Sequence, residues 1–157
     1  MKHNLHTEPF NSPFEAGVRS LAILVAAFPE AYDLQRLVEM DYLVVHSGDV
    51  NGPASLHAPL PMRAGELLVR HGLIEKGLLL MISRGLVQRV AARDGFRYQA
   101  GEVAAPFMAS LTCRLKRCAE WAVIQFNDLT IQEIRNITHR FFQQWSSQFQ
   151  NIQSSGG

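Results

Sequence analysis

Cysteine is nearly missing from this chain: Cys113 and Cys118 are the only two, five residues apart. Five residues on one helix point two side chains in different directions, so the pair builds neither a disulfide framework nor a zinc knuckle. Long apolar runs are missing too. The longest, Leu21 to Phe28, is far too short to span a bilayer. The first residues lack the basic flank, apolar stretch and small-residue cleavage site of a signal peptide. The expectation is a cytoplasmic protein with no membrane contact. Charge is sparse at 18% and apolar residues reach 47%, which excludes a disordered chain and provides for one hydrophobic core. A single domain over residues 12–152 is expected, with an arm at 1–11 and a disordered tail at 153–157.

Catalytic signatures are the third absence. Gly72 and Gly77 have P-loop spacing, but Leu78-Leu79 stand where Lys-Ser/Thr would hold phosphate and magnesium. No serine sits in a G-x-S-x-G elbow and no H-E-x-x-H occurs. His46, Asp49 and His57 share one loop, yet no pair among them has metal-ligand spacing. They read as polar loop residues and as candidate partner contacts. Glu39 and Asp41 point to different helix faces, which makes a poor acid/base pair. No catalytic residue, cofactor or metal is expected, and the chain reads as a non-enzyme.

What is present is mostly helical. Ser12-Pro13 with Glu15 spells a helix start, and Val18, Leu21, Ala22, Val25 and Phe28 form a helical stripe that Pro29 ends. Asp33 caps a second helix carrying Leu34, Leu37, Val38, Tyr42 and Val45. A long loop follows from His46 to Pro61, of a length that is usually functional or mobile. A third helix over 63–70 closes near Gly72, and a fourth runs from about Ile74 to Arg84, stopping at Gly85. Leu86 to Ala91 and Phe96 to Ala100 then alternate with period two around Asp94-Gly95, which predicts a hairpin. Helix, helix, strand, turn, strand is the layout of a winged helix-turn-helix. One more helix starts near Pro106, with Phe107, Leu111, Leu115, Ala119, Ala122 and Phe126 on one side. A last one opens with Thr130 and Glu133 and carries Ile134, Ile137, Phe141, Trp145 and Phe149. The expected fold class is mainly α with a small β-hairpin: a winged-helix core followed by two C-terminal helices.

The net charge of +1 is unevenly spread: −4 over residues 1–62, +6 over 63–117 and −1 over 118–157. The basic middle suits nucleic acid or an acidic protein surface. A helix that reads DNA presents Arg, Asn, Gln or Ser to base edges. The one in that position carries Ile74, Leu78, Leu79, Leu80, Met81 and Ile82, apolar nearly all round. Such a helix is buried or buries itself against a partner. Arg84, Arg89, Arg93 and Arg97 lie on or beside the hairpin, as candidate contacts to a DNA backbone without base reading, or to an acidic partner. Phe141 and Phe142 are adjacent, so both cannot enter one core; Phe142 is a candidate interface anchor.

A set of segments carries a resemblance. It comprises Phe10-Asn11-Ser12-Pro13-Phe14-Glu15, Tyr42-Leu43-Val44-Val45-His46-Ser47-Gly48-Asp49, Ser55-Leu56-His57 and Arg63-Ala64-Gly65-Glu66-Leu67-Leu68-Val69-Arg70. Ser83-Arg84-Gly85-Leu86-Val87 and Tyr98-Gln99-Ala100-Gly101-Glu102 complete it. In order and spacing these resemble the middle components of ABC-three-component systems, in particular the LmuC-like small subunits of Lamassu anti-phage defence, over about residues 10–150. The resemblance implies an adaptor between an SMC/Rad50-like ATPase subunit and an effector, often a nuclease subunit, with the chemistry belonging to those partners. The alternative is a winged-helix DNA-binding transcriptional repressor. A small enzyme with its site in the His46–His57 loop is the third reading.

Overall fold

The computed structural model describes residues 12–56, 64–110 and 113–140. Helix α1 spans Pro13–Ala27. The backbone N–H of Glu15 donates to the Ser12 hydroxyl at 3.2 Å, and Pro13 occupies the first turn, where its missing N–H costs nothing. Burial on α1 extends well beyond the expected stripe. Residues from Ala16 to Leu24 are buried with the exception of Val18, and the set includes Arg19 and Ser20. A helix enclosed on most of its circumference is the centre of a domain rather than its edge. Phe28, expected on the stripe, is instead 61% exposed as the residue that ends the helix.

Tyr32–Asp33 form a two-residue strand, β1, that leads directly into helix α2, Leu34–Val45. Asp33 accepts the Arg36 backbone N–H at 2.7 Å, the expected cap. A single 3-10 turn, Ser47–Val50, follows.

The two helices expected over 63–70 and 74–84 are one continuous 20-residue helix, α3, Ala64–Ser83. A lone glycine inside a helix costs about 1 kcal/mol relative to alanine but does not stop it. The stop comes at Gly85, with φ +72°. There the Gly85 N–H donates to Ile82 O and the Leu86 N–H to Met81 O, both at 3.0 Å. Those two bonds close the last open carbonyls of the helix in a left-handed cap that glycine accepts without strain.

Strands β2 (Val87–Ala92) and β3 (Gly95–Ala100) form the hairpin. Ala92 pairs with Gly95, so the turn is Arg93-Asp94, one residue earlier than expected, with Gly95 at φ +133°. The sheet has three antiparallel strands in the order β1-β3-β2, through pairing of Tyr32 with Tyr98. A two-residue strand is too short to leave a periodic signal.

Helix α4 is Ala104–Ala109 and α5 is Cys113–Phe126. Residues 131–140 are helical and are labelled α6. Its start carries the full reciprocal box: Glu133 N–H to the Thr130 hydroxyl at 3.2 Å, and Thr130 N–H to the Glu133 carboxylate at 2.7 Å. These bonds hold the Glu133 carboxyl below its ordinary pKa, the backbone donor most of all. The result is mainly helical with a small sheet. Its core joins α1, α2, α3, α5 and the base of the hairpin through Leu21, Leu24, Leu37, Leu43, Ile74, Leu78, Met81, Val87 and Ala122.

Candidate docking surface

The core contains a buried ionic junction between three helices. Asp41 of α2 is fully buried. It accepts Arg19 Nε of α1 at 2.8 Å and Arg70 Nη1 of α3 at 2.5 Å. Burial pushes the Asp41 carboxyl up, but the two guanidiniums and their hydrogen bonds outweigh it and leave the pKa below 3.8. Arg70 also lies over the Tyr42 ring, 5.9 Å from its centroid. Glu39 points elsewhere, to Arg135 of α6 at 3.1 Å. The two acids thus lie on different faces, as their spacing implies, and each fixes a different neighbour. The Arg19–Asp41–Arg70 junction is the polar feature that spacing alone did not reveal. Its signal is Asp41 itself, set between Met40 and Tyr42 in the most apolar stretch of α2.

At the crossing of α1 and α3 two glycines meet. A Cβ on Gly77 would lie 2.5 Å from Gly17 N and from Pro13 O, both backbone atoms. With this contact on its inner side, α3 buries Ile74, Leu78 and Met81. Its other side is uncovered and mixed: Val69 is 63% exposed, Leu79 55% and Leu80 39%, with Glu75 and Lys76 exposed among them. Val69, Leu73, Lys76 and Leu80 follow one another at helical spacing, with Leu79 beside them. The expectation of a helix enclosed all round therefore holds for one half of it. The other half faces solvent with Leu79 and Leu80 beside Glu75, Lys76 and Ser83.

The four hairpin arginines do not make one patch. Arg84, Arg89, Arg93 and Arg97 are all exposed. In the register, Arg89 stands opposite Tyr98 and Arg97 opposite Val90. Directly opposed residues share a face and successive ones alternate, so Arg89 and Arg97 lie on opposite faces of the ribbon. The Arg89 guanidinium stacks 4.3 Å from the Phe96 centroid. Arg97 has Asp94 at 3.8 Å, an exposed pair that contributes little.

His46 is not a surface residue. It is 5% exposed and packs on Tyr42 with ring centroids 4.8 Å apart, which leaves it little area for a partner. Asp49 lies in the 3-10 turn. His57 and Phe142 fall outside the described residues, as do the arm at 1–11 and the tail at 153–157. The first part of the long loop is tied to α5. Ser47 Oγ donates to Pro53 O at 2.8 Å, Arg114 donates to Ser55 O at 2.8 Å, and Gly52 fits against Trp121 with no room for a Cβ. At the other end of α5, Arg36 donates to Asn127 O at 3.3 Å and Leu129 O at 2.7 Å, joining α2 to the turn before α6. Among the described residues no cluster of three metal-ligating side chains occurs, and no helix is long and apolar enough to cross a membrane.

These features leave exposed leucines on the outer side of α3 and arginines along the hairpin. In comparison with known proteins, the family model described as ABC-three component (ABC-3C) system Middle Component 2 fits residues 9–148. No curated protein and no solved structure matches the chain.

Proposed function

Since this chain belongs to the ABC-three component system Middle Component 2 family, we propose that it is a non-catalytic cytoplasmic adaptor within a Lamassu-like anti-phage or anti-plasmid complex. In this reading it links an SMC/Rad50-like ATPase to an effector of the nuclease type. The observation that carries the proposal is the outward side of α3. Val69, Leu79 and Leu80 are exposed on a helix whose inner side is locked in the core. Exposed apolar side chains on a helix anchored in the core suit a helix-in-groove or helix-on-helix contact with another protein. Membership of a component family supplies the reason for a protein partner there.

We read the architecture as a winged helix, with α2 and α3 as its helix pair, β2–β3 as the wing and β1 as the third strand. The order β1-β3-β2 supports this reading. A repressor that reads bases through α3 is less well supported, because Leu79, Leu80 and Glu75 take up much of its exposed side and leave Lys76 and Ser83 as donors, with no Arg, Asn or Gln. Burial of His46 against Tyr42 likewise supports an adaptor over an enzyme with its site in the loop.

The test is capture from co-expression with the two other components of the system. The chain is expected to retain both, and Leu79→Gln with Leu80→Gln to lose at least one while its thermal unfolding is unchanged. Full capture by the double variant would remove α3 as the docking face. Purification of the wild-type chain free of both components would remove the adaptor.

A further inference from the structure

Val87 and Ala100 are buried at the base of the hairpin, but 88–91 and 95–97 are exposed. Beyond the part of β3 that pairs with β1, the pairs Ala91–Phe96 and Ala92–Gly95 and the Arg93-Asp94 turn project, by roughly 7 Å at about 3.3 Å per residue. Residues 84–97 carry four arginines and one acid, Asp94. Arginines stand at its base and its tip: Arg89 on the Tyr98 face, Arg97 on the Val90 face and Arg93 in the turn. Phe96, itself 53% exposed, holds the Arg89 guanidinium against its ring, which limits the freedom lost on contact.

We propose that the β2–β3 hairpin is a sequence-independent contact for duplex DNA, in which Arg89, Arg93 and Arg97 reach phosphates on both sides of one groove. An acidic protein surface meets a ribbon from one side and would be matched by charge on one face. A groove has negative charge along both walls, and the major groove is wide enough for a two-stranded ribbon. The side chains are suited to phosphate; Gln88, also exposed, sits at the base of the hairpin, and Val90, Ala91 and Phe96 nearer the tip offer no donor set for base edges. This inference rests on the charge and shape of the hairpin and not on the leucine face of α3, so the two stand or fall separately.

The experiment is binding of the full chain to two labelled duplexes of unrelated sequence, followed by anisotropy across a salt series. Equal affinity for both is expected. The expected log–log salt slope is about −3, since each neutralised phosphate contributes about −0.9. Arg89→Ala with Arg93→Ala and Arg97→Ala should flatten the slope and weaken low-salt binding by about tenfold or more. The corresponding triple lysine variant should keep the slope, because a phosphate contact needs charge rather than a planar fork. Leu79→Gln with Leu80→Gln should bind DNA as the wild type does. Absence of salt-dependent binding by the wild type, or an unchanged slope in the triple alanine variant, overturns the proposal. So does a triple alanine variant that keeps its DNA affinity but releases an acidic subunit of the complex.

Discussion

Leu78 and Leu79 are neighbours on one helix, have the same side chain, and meet opposite fates. Leu78 is 1% exposed in the core, whereas Leu79 is 55% exposed. The difference is set by Gly77 and Gly17, whose missing side chains let the two helix backbones come together on one side of α3. The inner side of α3 thus serves the fold and the outer side is free for another task. An apolar helix in a small domain does not by itself announce a core. It announces two surfaces, and only packing says which of them is already covered.

That contrast can be broken first at the ionic junction. Asp41→Ala would leave Arg19 and Arg70 facing each other without their shared counter-charge. Loss of one partner from a buried pair costs about 3–5 kcal/mol. Chemical denaturation should show that loss, and a stability near wild type would mean the junction is dispensable. Leu78→Ala comes next, at about 2–5 kcal/mol for a buried leucine replaced by alanine. Gly77→Ala should follow with about 1–3 kcal/mol of overpacking, since the atoms its Cβ meets are backbone and cannot swing away. A melting temperature equal to wild type would show that the helices can separate there without cost.

Acid provides a graded version of the first cut. The folded Asp41 carboxyl sits below its ordinary value of 3.8. Its contribution is therefore complete above that ordinary value and is lost as pH falls through the lower, folded one. The urea midpoint of the wild type should fall with pH in that window more steeply than that of Asp41→Asn. Parallel curves would place the acid sensitivity elsewhere. The smallest effect is expected at Leu79→Ala, within about 0.5 kcal/mol, as for other exposed positions. A large loss there would mean that the outer face is part of the fold after all.

Legibility from sequence followed the range of the interaction. Ser12, Asp33, Gly85 and the Thr130–Glu133 pair each mark a helix end through bonds to residues three to five positions away, and each was readable in the chain. Gly72 misled because it has the composition of a stop without the left-handed backbone that Gly85 adopts. The hairpin was visible from its period, but the third strand was not, because Tyr32–Asp33 becomes a strand only by pairing with residues 97 and 98. The arginines were all named, yet which residue stands opposite each depends on register: a turn at Asp94-Gly95 would set Arg97 opposite Ala92 rather than Val90. The partner of Asp41 could not be read from spacing, since Arg19 and Arg70 lie 22 and 29 residues away.

By itself, then, the sequence determined the capped ends at Ser12, Asp33, Gly85 and Thr130, that the chain is mainly helical, and that its middle is basic, because caps, periodicity and charge are local properties. Tertiary structure alone decided that α1 is the central helix, that Asp41 joins three helices, and which leucines of α3 stay uncovered. Those outcomes depend on which distant surfaces meet, and in this fold the meeting is set by two glycines and a shared carboxylate.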